Sequence, residues 1–132
     1  IVLALGTNDL KFTDAFGAAR GAEALINLCD LVQAKKESSL VFPNGVKVLL
    51  LAPIPLGKGI SAYVDSTVRD KYEESLRFGE YFERVARAHG CAYLDCAAFA
   101  APSEIDCVHM MPDSHRAQGL AVAAKVREIF GE

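Results

Sequence analysis

The sequence predicts an α/β domain built on a parallel sheet, with strands and helices alternating in the order β-α-β-α-β-α. Three observations carry this. Apolar runs at residues 1–5, 46–52 and 91–95 are short and nearly continuous rather than alternating, the pattern of strands covered on both faces. The segments between them repeat apolar residues at helical spacing. The first two runs also stop abruptly, at Gly6 and at Pro53, and sheets of this kind place ligands beyond the carboxyl ends of their strands.

The first strand, Ile1-Val2-Leu3-Ala4-Leu5, delivers the polar tetrad Gly6-Thr7-Asn8-Asp9. Thr13-Asp14 then offers an N-cap, and Ala15, Ala18, Ala22, Leu25, Cys29 and Val32 mark one face of a helix running to about Lys36. Lys35 and Lys36 in its last turn would complement the macrodipole. A polar loop over 37–45 leads to the second strand, 46–52, which Pro53-Ile54-Pro55 terminates because proline cannot continue a ladder. Gly57, Gly59 and Ser61 make a flexible loop. Thr67 with Asp70 resembles a capping box, and Val68, Tyr72, Leu76, Gly79, Phe82, Val85 and Ala86 trace one face of a single helix to His89, closed by Gly90. Glu73, Glu74, Glu80, Glu83, Arg84 and Arg87 fall on the face read as solvated. The third strand, 91–95, passes through an irregular stretch to a last helix capped by Asp113 or Ser114, with Leu120, Ala123, Val126, Ile129 and Phe130 as its buried face.

Composition narrows the function. At 132 residues, 52% hydrophobic and with a formal net charge of −3, the chain suits one domain with a substantial core. The mild acidity and lack of a basic cluster argue against nucleic acid and anionic membrane as partners. No apolar run approaches the ~20 residues needed to cross a bilayer. Cys29, Cys91, Cys96 and Cys107 form no Cys-x-x-Cys pair and read as small buried hydrophobes in a reducing compartment, the cytoplasm. The sequence also starts inside a strand without a lead-in, which predicts that an N-terminal portion precedes it.

Two constellations carry chemistry. Asn8, just past a glycine at a strand end, offers an amide donor for a developing oxyanion, although Gly-Thr-Asn-Asp is equally ordinary turn chemistry. In Ile105-Asp106-Cys107-Val108-His109, a carboxylate three residues before an imidazole can accept from one ring nitrogen, fixing the tautomer that leaves the other nitrogen free as a base. Asp-x-x-His alone is common by chance, and its weight here is positional, because the topology gathers strand ends and so brings Asn8 near His109. Thr7, Lys11, Val108 and Met110 flank these residues and are the expected substrate-contacting set. His115 reads as a structural or capping residue, His89 as a macrodipole partner and Asp9 as a turn acceptor. A metal on Asp106, His109 and His115 lacks supporting ligand spacing, and no cofactor is expected.

Together the two motifs resemble those of the SGNH (GDSL-type) hydrolase family, in which a Gly-x-Asn-Asp block follows the third strand and an Asp-x-x-His block precedes the last helix. The stretch 46–56 (Val-Lys-Val-Leu-Leu-Leu-Ala-Pro-Ile-Pro-Leu) with residues 6–11 is most similar to the arylesterase and acyltransferase branch. The resemblance implies a flavodoxin-like three-layer α/β/α sandwich and hydrolysis of a small-molecule ester through a Ser-His-Asp triad. Asn8 would donate to the oxyanion, His109 would serve as general base and acid, and Asp106 would orient it. The family's nucleophile block, Gly-Asp-Ser, has no counterpart in these residues, Cys107 stands where the family commonly has Gly, and Met111-Pro112-Asp113 replaces the more usual Thr-Pro-Glu.

On that reading residues 1–132 are the C-terminal part of one SGNH hydrolase domain. Its first strand is central in the sheet and is completed by an N-terminal segment of the same polypeptide or, as the lesser alternative, by a second copy pairing edge to edge. The competing readings are a degenerate hydrolase and a flavodoxin-like binding module without chemistry.

Overall fold

The computed structural model describes residues 1–35, 42–59 and 66–131. Three strands, β1 (Val2–Leu3), β2 (Leu49–Ala52) and β3 (Ala92–Asp95), alternate with helices α1 (Ala15–Gln33), α2 (Tyr72–Ser75), α3 (Phe78–His89) and α4 (Pro112–Phe130). The strands form one all-parallel sheet in the order β1-β2-β3, with Val2 opposite Leu49 and Leu49 opposite Ala92. The expected α/β class and parallel sheet are therefore present.

Side-chain alternation along β2 sets the layers. Successive residues of a strand point to opposite faces. Leu50 and Ala52 join the core made with Ala18, Ala22 and Ile26 of α1 and Phe78, Phe82 and Ala86 of α3, while Leu49 and Leu51 pack toward Val122, Val126 and Ile129 of α4. All four residues of β2 are buried, which explains why its sequence is uniformly apolar. β1 is an edge of the described sheet, and Ile1, Val2 and Leu5 remain exposed.

Several local expectations need correction. The first and second strands are shorter than the apolar runs that announce them. Asp14 caps α1 through Gly17 N at 2.7 Å, as the sequence indicates, but the helix ends at Gln33, so Lys35 lies beyond it and Val32 is exposed. Lys36, the first part of the 37–45 loop and Ser61 lie outside the described residues.

The helix expected from Thr67 to His89 is broken into α2 and α3. Ser75 is the reason: its buried hydroxyl donates to Tyr72 O at 2.6 Å and accepts from Leu56 N at 2.9 Å, so it competes for the helical acceptor and ties the turn to the loop after β2. Leu76, at the break, is exposed. Glu74 is not simply solvated, because its Oε1 accepts from Ala15 N at 3.0 Å at the start of α1. Gly90 closes α3, as expected.

On α4 the N-cap is Met111 with Pro112 in the first turn, in place of a side-chain cap from Asp113 or Ser114. Leu120 and Phe130 are exposed, and Val122 takes the core position that Leu120 was expected to hold. Among the described residues no helix is long and apolar enough to cross a membrane.

Candidate active site

Asn8 is presented by the turn that follows β1. Gly6 has φ 130°, and a Cβ there would lie 2.9 Å from Phe82 Cζ and 3.0 Å from Pro53 Cγ, so only glycine suits both the conformation and the space. The chain then enters a 3-10 turn, Thr7–Lys11, closed at its start by Asp9 N donating to Gly6 O at 3.1 Å. Leu10 pins the turn from below. It is fully buried against α1 and α3, a burial worth about 1.5–3 kcal/mol, so the polar residues on either side of it must face outward. Asp9 serves the turn through its backbone carbonyl, which receives Phe12 N and Thr13 N, rather than through the side chain that its residue type suggested.

The second constellation lies on the loop between β3 and α4. An antiparallel bridge between Pro102 and Met110 closes its base. Within it His109 Nδ1 is 2.6 Å from Asp106 Oδ2, while Asp106 Oδ1 accepts from Val108 N, His109 N and Ser103 Oγ, each at 2.9 Å. The backbone amide of Val108 first, then the His109 ring, the His109 amide and the Ser103 hydroxyl hold the Asp106 carboxyl well below the ordinary carboxylate range. An ionised acceptor at Nδ1 favours the tautomer with the proton on that nitrogen and leaves Nε2 able to take a proton. The His109 side chain is 79% exposed, so this second nitrogen is accessible.

Cys107 enables the geometry. It has φ 61°, the left-handed region, and it turns the chain so that the next two amides point back at the Asp106 carboxylate. This is the position at which a glycine was expected from the resemblance, and the conformation accounts for that preference.

Asn8 and His109 line one cleft of about 340 Å³ together with Thr7, Val108 and Met110. Its apolar floor is Leu51, Pro53, Ile54 and Cys96. Burial, with the neighbouring Asp95 carboxylate, pushes the Cys96 thiol up to about 11, so it is an inert wall rather than a nucleophile. Asp106 stands behind His109. Lys11, at the far end of the 3-10 turn, does not line the cleft.

Sequence reading also missed residues. His115 is no cap; its amide donates to Met111 O inside α4, and its side chain lines the cleft with Gln118, one turn on. That three-residue spacing beside the candidate base was the available signal. His89 occupies the last turn of α3, as expected, and its Nε2 also lies 3.1 Å from Glu23 Oε1 on α1.

Fold and cleft together define a parallel-sheet α/β architecture with its polar groups beyond the strand ends. Known structures place it more closely. A carbohydrate acetylesterase family member from Sinorhizobium meliloti is 27% identical, with a TM-score of 0.89 over 100% of this chain and 62% of its own. A further solved structure is 41% identical with a TM-score of 0.84, covering 100% of this chain and 60% of its own. The M. smegmatis aryl esterase, 20% identical, shares the fold, with a TM-score of 0.79 over 96% of this chain and 59% of its own. The chain has the SGNH hydrolase fold, as the resemblance implied, and spans about 60% of the length of these structures. No family model and no curated protein matches it.

Proposed function

We propose that the complete protein is a carboxylic ester hydrolase acting on short-chain or aryl esters, acetyl esters of carbohydrates among them, by a Ser-His-Asp mechanism. The observation that carries this reading is the Asp106–His109 pair, bonded at 2.6 Å, on the rim of the cleft that Asn8 also lines. The nucleophilic serine lies on a segment outside these 132 residues. Support for that comes from the length of the structural neighbours and from the exposed apolar edge at β1.

In this mechanism His109 Nε2 takes the serine proton as Oγ attacks the ester carbonyl carbon. The carbonyl π electrons move onto oxygen, and the Asn8 amide N–H donates to that oxyanion. Collapse of the tetrahedral intermediate breaks the bond to the alkoxy oxygen, which leaves with the proton returned by His109. Water, or an alcohol in an acyl transfer, then repeats the sequence on the acyl-enzyme. Asp106 stays ionised throughout and stabilises the imidazolium. Leu51, Ile54, Val108 and Met110 favour a short acyl group, while His115 and Gln118 offer polar contacts to the alcohol side.

The test is hydrolysis of an aryl acetate by the complete protein and by its His109→Ala variant. Loss of a base-bearing triad member costs several orders of magnitude in turnover. A variant retaining a tenth of wild-type turnover would sink the assignment.

A further inference from the structure

We propose that Ser103 is a positioning residue for the Asp106–His109 pair, pinning the carboxylate so that His109 keeps one tautomer and one orientation. The inference rests on the esterase reading above and adds a residue to it.

Of the three donors to Asp106 Oδ1 among the described residues, two are the amides of Val108 and His109, which lie on the same arm of the loop as the imidazole. Ser103 Oγ, also at 2.9 Å, is the donor that comes from the opposite arm. The same hydroxyl oxygen accepts from Asp106 N at 3.3 Å. One hydroxyl therefore holds both the backbone and the side chain of Asp106, which fixes the direction in which Oδ2 points at His109 Nδ1.

The pin is itself anchored. Ser103 is 7% exposed, its amide donates to His109 O at 2.7 Å, and its carbonyl accepts from Cys107 N at 3.0 Å. With the Pro102–Met110 bridge immediately outside, these bonds form a closed frame around the carboxylate. The backbone bonds survive truncation of the side chain, so Ser103→Ala keeps the frame and removes only the pin. The Ser103 hydroxyl also contributes to the lowered Asp106 pKa, in the direction a donor to the ionised form requires.

The experiment compares the complete protein with its Ser103→Ala, Ser103→Thr and His109→Ala variants by steady-state kinetics on an aryl acetate and by long-range 1H–15N NMR of the histidine ring. Ser103→Ala should lower kcat about ten- to a hundredfold with KM unchanged, because a misdirected base loses rate rather than affinity. Its His109 ring should shift from a single Nδ1-protonated tautomer toward a mixture. Ser103→Thr, which keeps the hydroxyl, should restore both readouts. Wild-type kcat and an unshifted ring in Ser103→Ala would overturn the inference while an inactive His109→Ala left the esterase reading standing. An active His109→Ala would overturn that reading first. Should Ser103→Ala fail to fold, Ser103→Cys, with a weakly bonding sulfur, takes its place with the same expected loss, and wild-type turnover there overturns the inference.

Discussion

The amide of Gly57 donates to the carbonyl of Cys107 at 2.7 Å, tying the segment after β2 to the loop that carries Asp106 and His109. The approach is close enough that a Cβ on Gly57 would lie 2.8 Å from Cys107 Cβ, 3.1 Å from its Sγ and 3.2 Å from its Cα. Two segments far apart in sequence thus share one tight contact directly behind the candidate base.

Gly57→Ala should therefore destabilise the protein by about 1–3 kcal/mol, the range of overpacking, and lower ester turnover by displacing the histidine loop. Cys107→Gly in the same background removes the clashing Cβ and Sγ and suits φ 61°, so the double variant should recover part of both losses. Urea unfolding of the two single variants and the double variant measures the coupling. Additive effects would show that the contact does not join the two residues energetically.

Asn8→Ala should lower kcat by about a hundredfold or more with little change in KM, since an oxyanion donor acts mainly in the transition state. Among the described residues the Asn8 side chain makes no hydrogen bond, so its loss leaves no buried partner behind. Steady-state kinetics on an aryl acetate decide it. A large rise in KM at unchanged kcat would make Asn8 a ground-state binding residue instead.

Acid should weaken the His109 loop through Asp106. Its carboxyl titrates below the ordinary value of 3.8 in the folded protein. Folding therefore favours the ionised form, and the resulting stability is full above pH ~4 and lost as pH falls toward the folded pKa. Asp106→Asn should be less stable than wild type at pH 6, and the gap should narrow at pH 3. Unfolding curves at the two pH values test this, and a gap that widens in acid contradicts the assigned direction.

Val108→Ala should shift acyl chain-length preference toward longer esters, because Val108 lines the cleft beside Met110 and the apolar floor. A series of aryl esters from acetate upward reports the preference. An unchanged profile would remove Val108 from the acyl pocket.

Expressed alone, the 132 residues should be inactive and should self-associate. The open edge at β1 exposes Ile1, Val2 and Leu5, and unpaired apolar edges template pairing with other chains. Size-exclusion chromatography gives the answer, and a cooperatively melting monomer of 14.2 kDa would contradict the expectation.

Sequence by itself determined what depends on local chemistry and period. Continuous apolar runs identified β1, β2 and β3, and for β2 the reason is that a strand buried on both faces tolerates no polar alternation. Asp14, Gly90 and Pro53 marked boundaries because capping and proline geometry act within a few residues. The Asp106–His109 pairing was legible for the same reason, three residues on one loop. Tertiary structure decided whatever depends on partners remote in sequence. Ser75 broke a helix whose periodicity looked whole, since its hydroxyl is claimed by Leu56, 19 positions away. Glu74, on a face that looked solvated, was claimed by Ala15, 59 positions away. His115 and Gln118 entered the cleft, and Lys11 was kept out of it, by the way α4 and the 3-10 turn pack around the sheet. Cys107 could adopt a left-handed conformation because the frame of Ser103, Gly57 and Asp106 holds it there, and that frame exists only once β2 and the histidine loop meet.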